Sequence, residues 1–589
     1  MVEDGLTLTY GDRIIQVTGG TIDYSISGGS NGVYANSTSN NGKLGGNTLV
    51  YVGGTATVGS NINVAGATLY GVDPGCVLGA GNGTSNTTYN ATSGQVDSTH
   101  IIINDNAHIL KNVFGGGNYG IVGTAGTTNG TTQIDILGGT IDGNVYGGAN
   151  QNNINGSTAI NVKGGQVKGA IYGGSNTKGT ISSNTTVNVT GGTLGSTGNT
   201  NPVLFGGGYG SNTTVTGNAI INIKDTDGNV AINGNGYGGS AQGTMSANTT
   251  VNIQDLPNVT NTITIVGNIF AGGQGTSSQP ATINGNSTMN VDGSNIPDAS
   301  LFGGNDINGV TNGNITVNIG GSYPSIVGRV YGGGNQDATG TEADTVKVHL
   351  MTNADVTYAF NGGKAANFTT SGNNDTNRGI YLEGGHATHL FGGSDTSGTV
   401  NASHVYIQSG SADNVYGGNN LGGTTTTSFV YVTGATSGNV YGGGYQAPTG
   451  TTNVSLTGGT ITNGFGGGYG ANVTTQANIT LDGTTATNKI VGGSDSSGTV
   501  ATTDVLIVKG SVAEVFGGNN LGGSTGNTNV WVHSNVVNNV VVEPTVTDVY
   551  GGGNNAATTG NTNLKISNVH ILRFCLWWRK RRICKCCWK

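Results

Sequence analysis

Short runs of alternating apolar and polar residues recur along most of the chain, each closed by a pair of glycines. Val187-Asn188-Val189-Thr190-Gly191-Gly192, Val317-Asn318-Ile319-Gly320-Gly321 and Val454-Ser455-Leu456-Thr457-Gly458-Gly459 are three of them. Alternation over a few residues sends one set of side chains to each face, the signature of a half-buried strand. Glycine reaches backbone angles closed to other residues, so the pairs mark corners. Roughly ten to twenty residues later comes a second pattern: an aliphatic residue, an aromatic residue, then two or three glycines. Its aromatic position falls at Phe114, Tyr146, Tyr172, Phe205, Tyr237, Phe270, Phe302, Tyr331, Phe360, Phe391, Tyr416, Tyr441, Phe465, Val491 (here aliphatic), Phe516 and Tyr550. No stretch shows sustained helical periodicity with caps.

The early steps between these anchors cluster at 32 or 33 residues; from Phe391 to Phe516 they are 25, 25, 24, 26 and 25. A fixed period in this range signals stacked repeats, each too small to bury its own apolar face. One unit reads as strand, glycine corner, short strand, glycine corner, polar return. The expectation is an all-β fold: a single elongated right-handed parallel β-helix, a solenoid of about 15–19 coils of 24–34 residues each. At about 4.8 Å per rung, the span from Phe114 to Tyr550 would be roughly 70 Å long.

Residues 1–112 read as less regular coils, with Ile15 to Ile22 and Leu49 to Gly54 matching the strand–corner pattern and Val77-Leu78-Gly79 a weak anchor. Residues 113–389 form the long-coil part, whose extra residues, such as Thr193 to Pro202, are expected in loops on one side. Residues 390–567 form the short-coil part, with an internal duplication. Phe391-Gly392-Gly393-Ser394-Asp395 returns as Val491-Gly492-Gly493-Ser494-Asp495, and Gly417 to Gly423 returns as Gly517 to Gly523, both displaced by 100 residues. Residues 568–589, basic and rich in Cys and Trp, are expected to lie outside the fold, as out-of-frame sequence at a truncated gene end would.

Composition narrows the class. Glycine supplies 112 of 589 residues and charged residues only 8%, against usual shares of about 7% and about 25%. Disorder favours charge and proline and does not need phased Val, Ile, Phe and Tyr. The net charge is −8, and Arg573 to Lys589 hold seven Lys/Arg and no acid, so residues 1–572 carry −15. A body of that sign is not built to neutralise phosphates, so no nucleic-acid partner is expected. Only Cys76 lies in it, which rules out a disulfide framework there. No apolar span is long enough for a transmembrane helix. The start, Met1-Val2-Glu3-Asp4-Gly5, lacks a basic region followed by an apolar one, and the chain is expected to be a fragment.

Candidate chemistry lies on the outward middle position of the first strand. Read from sequence, that column runs Asn161, Asn188, Asn222, Asn252, Asn290, Asn318, Lys347, Tyr381, Tyr406, Tyr431, Ser455, Thr480, Leu506 and Trp531. Stacked asparagines stabilise a solenoid by amide bonding along its axis. Tyr381, Tyr406, Tyr431 and Trp531 are the candidate ligand-binding residues, since an aromatic stripe on an outer face offers a surface to a sugar ring or to a protein. Plain packing between rungs is the alternative. The anchors Phe114, Tyr146, Tyr172, Phe205, Tyr331, Phe391, Tyr416, Tyr441, Phe516 and Tyr550 are structural, and their mixture of Phe and Tyr suggests that no hydroxyl partner is needed.

Catalysis has little to stand on. Glycoside hydrolysis needs two acids about 5–10 Å apart. The matched Asp395 and Asp495 fall four rungs apart, roughly 19 Å, and Asp225 and Asp227 sit in one turn. No enzyme activity, cofactor or metal site is expected. His386, His389 and His404 are weak ligand candidates, as are Cys575, Cys584, Cys586 and Cys587, whose spacing fits no two-pair zinc knuckle. The glycine runs lack the Asp of the calcium-binding nonapeptide repeat, and no helix follows them to make a phosphate cradle.

Residues 10–567 resemble the Gly/Asn/Thr-rich β-solenoid repeats of bacterial surface adhesins and autotransporter-like passengers. The resemblance is carried by Val-Tyr-Gly-Gly-Gly-Asn corners, as at Val330 to Asn335 and Val549 to Asn554, and by Gly-Gly-Thr-Ile turns, as at Gly138 to Ile141 and Gly458 to Ile461. It implies an extracellular or cell-surface chain that contacts a host surface glycan or protein, or neighbouring cells. The chain departs from such proteins in showing no signal peptide, anchor motif or membrane barrel. A polysaccharide lyase or hydrolase on the same scaffold and a passive spacer remain the alternatives.

Overall fold

The structure is a computed structural model that describes residues 12–31, 42–60, 74–83, 93–198, 201–255, 260–336, 345–367, 378–537, 540–569 and 571–574. Among these residues every regular element is a β-strand, and no helix is long and apolar enough to cross a membrane. The Cys-rich end of the tail, including Cys575, Cys584, Cys586 and Cys587, lies outside the described residues. The chain divides into two compact units, residues 1–301 with 305–313, and residues 302–304 with 314–589.

In the first unit each repeat contributes three short strands to three parallel ladders. The alternating runs make one: Gly130–Ile136 pairs with Thr99–Ile103 on one side and Gly156–Val162 on the other, and the series continues through Thr185–Val189, Ala219–Lys224 and Thr249–Gln254. The residues after the glycine corner make a second, as Thr140–Ile141 on Gln166–Val167. The anchors make the third, as Val145–Tyr146 between Val113–Phe114 and Ile171–Tyr172. A fourth ladder joins on the return, from Lys178–Ile181 to Gly309–Thr311. Thr193, expected in a loop, is in the strand Gly192–Leu194.

The middle ladder ends at Ile263–Val266, and the second unit opens with two strands per repeat, as Ile315–Ile319 with Ser325–Tyr331. Gly379–Phe391, Thr399–Tyr416, Val473–Val491 and Thr499–Phe516 each run unbroken from the alternating segment into the anchor. The corner survives as a bend at Gly410 (φ 84°) or Gly510 (φ 105°), left-handed conformations that favour glycine. The ladder also reaches past Ser567, since Ile571–Phe574 pairs with Thr545–Tyr550.

Alternation decides what is buried. Val187 and Val189 face the core while Asn188 between them is half-exposed. The anchor rings Phe114, Tyr146, Tyr172, Phe205, Tyr331, Phe391, Tyr416, Tyr441 and Phe516 all face inward and are at most 6% exposed. Tyr550 is half-buried. In the first unit the rings stack as Phe114–Tyr146–Tyr172–Phe205–Tyr237–Phe270, with centroids 4.7–5.0 Å apart. In the second they run from Phe302 to Phe465. Val491 interrupts the rings but not the register, being paired with Phe465 and Phe516. Each stacked pair adds about 0.5–1.5 kcal/mol beyond burial. A Cβ on Gly115 would lie 2.3 Å from the Gly147 carbonyl oxygen, so the first glycine after this anchor has no room for a side chain, although Ala271 and Asn361 take the equivalent place after Phe270 and Phe360.

A buried hydroxyl at the start of the alternating strand completes the corner. Thr132 Oγ1 donates to the Gly147 carbonyl at 2.6 Å, Thr158 to Gly173 at 2.6 Å, Ser403 to Gly417 at 2.5 Å and Ser428 to Gly442 at 2.6 Å. These hydroxyls sit in the core without an unpaired donor.

The view that anchor hydroxyls need no partner is corrected. Tyr237 Oη donates to Asp306 at 2.7 Å, Tyr331 to Asp395 at 2.8 Å and Tyr441 to Asp495 at 3.0 Å. Each acid follows the anchor two repeats further on and reaches back past one ring. Burial and the adjacent carboxylate push all three phenols far above their ordinary pKa.

Candidate functional site

The candidate site lies on the outward face of the alternating strands in the second unit. In Gly379–Phe391, Thr399–Tyr416 and Thr424–Val432 the pairs Ile380/Leu382, Val405/Ile407 and Val430/Val432 are buried, so the residue between each pair points away from the core. Pairing places these in one column: His349, Tyr381, Tyr406, Tyr431, Ser455, Thr480, Leu506, Trp531 and Lys565. The sequence-based column had Lys347 before Tyr381. The register instead aligns Asn318 with His349 and His349 with Tyr381. Val346-Lys347-Val348-His349-Leu350 offers two outward positions, and only pairing with its neighbours chooses between them.

His349, Tyr381, Tyr406 and Tyr431 form a ladder of rings. Their centroids are 4.9, 4.7 and 5.2 Å apart and adjacent planes differ by about 10°. A second column runs beside the first, with His404 stacked on Phe429 at 4.9 Å. It was missed in the sequence, although Phe429 and His404 precede Tyr431 and Tyr406 by two residues and so share their face.

This geometry changes what the stripe can bind. Rings stacked along the strand-to-strand direction cover each other's faces and turn only their edges outward, so a sugar cannot lie flat on Tyr381 or Tyr406. The ladder ends at Tyr431, because the next two positions are Ser455 and Thr480, both short and half-buried. Burial raises the Tyr431 hydroxyl above its ordinary pKa. Trp531 shares the column but is separated from Tyr431 by three non-aromatic positions. Its ring carries Lys565 Nζ at 4.6 Å and has His533 at 4.5 Å.

The ionisable groups nearby are committed to one another. His349 Nδ1 is 3.0 Å from Glu383. His386 lies between Asp355 at 2.9 Å and Asp413 at 3.5 Å, and its bond to Asp355 raises its pKa against the effect of burial. His389 stacks on Tyr358 at 4.7 Å, and burial lowers its pKa. His386, His389 and His404 thus have separate neighbours, and no group of three or more His, Cys, Asp or Glu that could hold a metal occurs among the described residues. Asp395 accepts from Tyr331, Arg329 and Asn420, and Asp495 from Tyr441 and Asn520. In the first unit Asp225 is bonded to Asp255. Burial, together with that neighbour, raises Asp255 to about 6.

A further aromatic pair escaped the sequence reading. Tyr445 and Tyr469, four residues after their anchors, stack at 4.9 Å and meet the Tyr416 and Tyr441 rings edge-on. The signal was present, as Gly-Gly-Gly-Tyr at two successive corners. No protein-family model, curated protein or solved structure matches this chain.

Proposed function

We propose that the chain is a bacterial cell-surface or secreted adhesin-like structural protein, wound as one right-handed parallel β-helix and binding a glycan or protein of a host or neighbouring cell through a lateral face. The observation that carries this reading is the outward ring ladder at Tyr381, Tyr406 and Tyr431. Asparagine holds the corresponding position on five successive strands of the first unit, from Asn161 to Asn290. Aromatic side chains there are not needed to complete the strand pairing, and they concentrate on three successive strands. Trp531, further along the same column, belongs to the same face.

The test replaces Tyr381, Tyr406 and Tyr431 together with Ser in the full chain and measures binding to a glycan array and to cells. The expected outcome is loss of binding with an unchanged β-sheet circular dichroism spectrum. Undiminished binding by a folded triple variant would leave the passive-spacer role, or a different face, in its place.

A further inference from the structure

The ring ladder stops abruptly, and the positions beyond its last ring have their own chemistry. Tyr406 covers one face of Tyr431. On the other side the column drops to Ser455 and Thr480 before Leu506 restores a large side chain. Three strand spacings separate Tyr431 from Leu506, about 14 Å at about 4.8 Å each. The floor of this step is neutral and polar. Beside Ser455 and Thr480, two residues earlier on the same strands, lie Asn453 and Asn478. Asn478 donates to Asn453 Oδ1 at 3.1 Å and to the Thr452 carbonyl at 3.0 Å, and Asn453 donates to the Ser428 carbonyl at 3.3 Å. These amide bonds run along the sheet, leaving the Ser455 and Thr480 hydroxyls and the second Asn453 amide hydrogen to meet a ligand. Two acids flank the step: Asp504 in the adjoining column, held by Gln476 and by Asn529, and Asp482, two residues after Thr480 on the same face, opposite Lys509 on the next strand.

We propose that this step is a saccharide slot, in which one neutral hexopyranose stacks on the open face of Tyr431 as the next ring of the ladder. A pyranose presents an apolar C–H face and, at right angles to it, a rim of hydroxyls. The slot offers the matching pair of surfaces: an aromatic face as one wall, and Ser455 and Thr480 as the floor. The ladder spacing already equals the separation at which a flat ring rests on an aromatic face. An anionic sugar is disfavoured, because no Lys or Arg lines the step and residues 1–572 carry a net −15. Trp531 is not a second slot, since Lys565 lies over its ring. The inference rests on the lateral-binding reading above and names the ligand class and the single ring that receives it.

The experiment titrates the full chain with D-glucose, D-galactose, D-mannose and N-acetyl-D-glucosamine, read by saturation-transfer NMR and by tyrosine fluorescence. At least one sugar is expected to bind saturably. Ser455→Tyr extends the ladder by one ring and fills the slot, so it is expected to weaken binding at least about tenfold, equivalent to about 1.4 kcal/mol. Tyr431→Phe keeps the face and is expected to stay within about twofold, whereas Tyr431→Leu keeps bulk without a flat face and is expected to lose about tenfold. If Ser455→Tyr fails to fold, the two Tyr431 variants decide. No binding by any of the four sugars, or wild-type affinity in folded Ser455→Tyr or Tyr431→Leu, overturns the slot. Cell binding that survives Ser455→Tyr but is lost in the triple Tyr→Ser variant would sink the slot and keep the adhesin reading. Sugar binding without cell binding would do the reverse.

Discussion

The two units fill equivalent outward positions in opposite ways. In the first, Asn161, Asn188, Asn222, Asn252 and Asn290 form a chain of side-chain amides, each donating Nδ2 to the Oδ1 of the preceding rung at 2.7–2.8 Å. The chain starts on a carboxylate, with Asn161 donating to Asp135 at 2.6 Å. In the second, His349, Tyr381, Tyr406 and Tyr431 stack their rings. Both devices satisfy side chains along the strand-to-strand direction, but only one has a polarity. Aligned amides turn their hydrogens toward the start of the chain, where an acid is the fitting acceptor. Burial would raise Asp135, yet bonds from His100, Asn161 and Gln133 outweigh it and hold the carboxyl below its usual range. The second unit repeats the rule at three places, Asn420 on Asp395, Asn520 on Asp495 and Asn529 on Asp504, whereas Asn478 and Asn453 end on the Ser428 carbonyl and Asn488, Asn463 and Asn439 on Asn414. A ring ladder needs no terminal acid, and it ends at Tyr431, whose next neighbour in the column is Ser455.

The largest expected effect ignores this difference, because the inward rings are the same in both units. Phe205→Ala and Tyr441→Ala should each destabilise by about 3–5 kcal/mol in chemical denaturation. A much smaller loss in one unit would show that its anchors are not equally packed.

The outward columns should separate the units. Asn188→Asp removes the donor to Asn161 and sets carboxylate against carbonyl oxygen, so a cost of about 1–3 kcal/mol at neutral pH is expected. Acid should relieve it in part, as the carboxyl regains a proton to donate. Tyr406→Ser loses two stacked pairs but leaves no unpaired group, for about 1–2 kcal/mol with no such pH dependence. Matching pH profiles for the two variants would break the comparison.

Two titrations should both lower stability as pH rises, but removing the two groups should have opposite effects. Asp255 has a folded pKa of about 6, above its ordinary 3.8. The folded first unit therefore keeps a proton that the unfolded chain releases, and stability falls as pH rises from about 4 to about 6. Asp255→Asn should abolish that fall and gain about 1–2 kcal/mol at pH 7, a figure already reduced for solvent screening of this partly exposed carboxyl. His386 is raised above 6.5, so its contribution is present below that value and lost as pH rises through the folded pKa. With its carboxylate partners well exposed, His386→Asn should cost only about 0.5 kcal/mol at pH 5.5 and nothing measurable at pH 9.

Much of the fold was legible because it repeats. Val187 and Val189 face inward and Asn188 outward in any pairing that buries the valines, and the glycine after most anchors, as at Gly115 and Gly147, has no room for a side chain. The candidate site was legible in part. Tyr381, Tyr406 and Tyr431 do fall on one column, but His349 replaced Lys347 there, and the adjoining Phe429 and His404 were overlooked. The Tyr331–Asp395 and Tyr441–Asp495 bonds join residues 64 and 54 positions apart, across an intervening ring, and no local pattern announces them.

By itself the sequence determined the strands, their corners and which residues of the alternating runs turn inward, since those follow from alternation and from glycine's freedom at the bends, but it left open which way the anchor rings face. Only the tertiary structure decided that the anchor rings face inward, that the outward tyrosines spend their faces on each other, that three anchor hydroxyls are answered two repeats later, and that the ladder ends at Tyr431 before two short polar positions. The physical reason is register. Periodicity sets the face of a side chain, but its neighbours above and below depend on how adjacent strands pair.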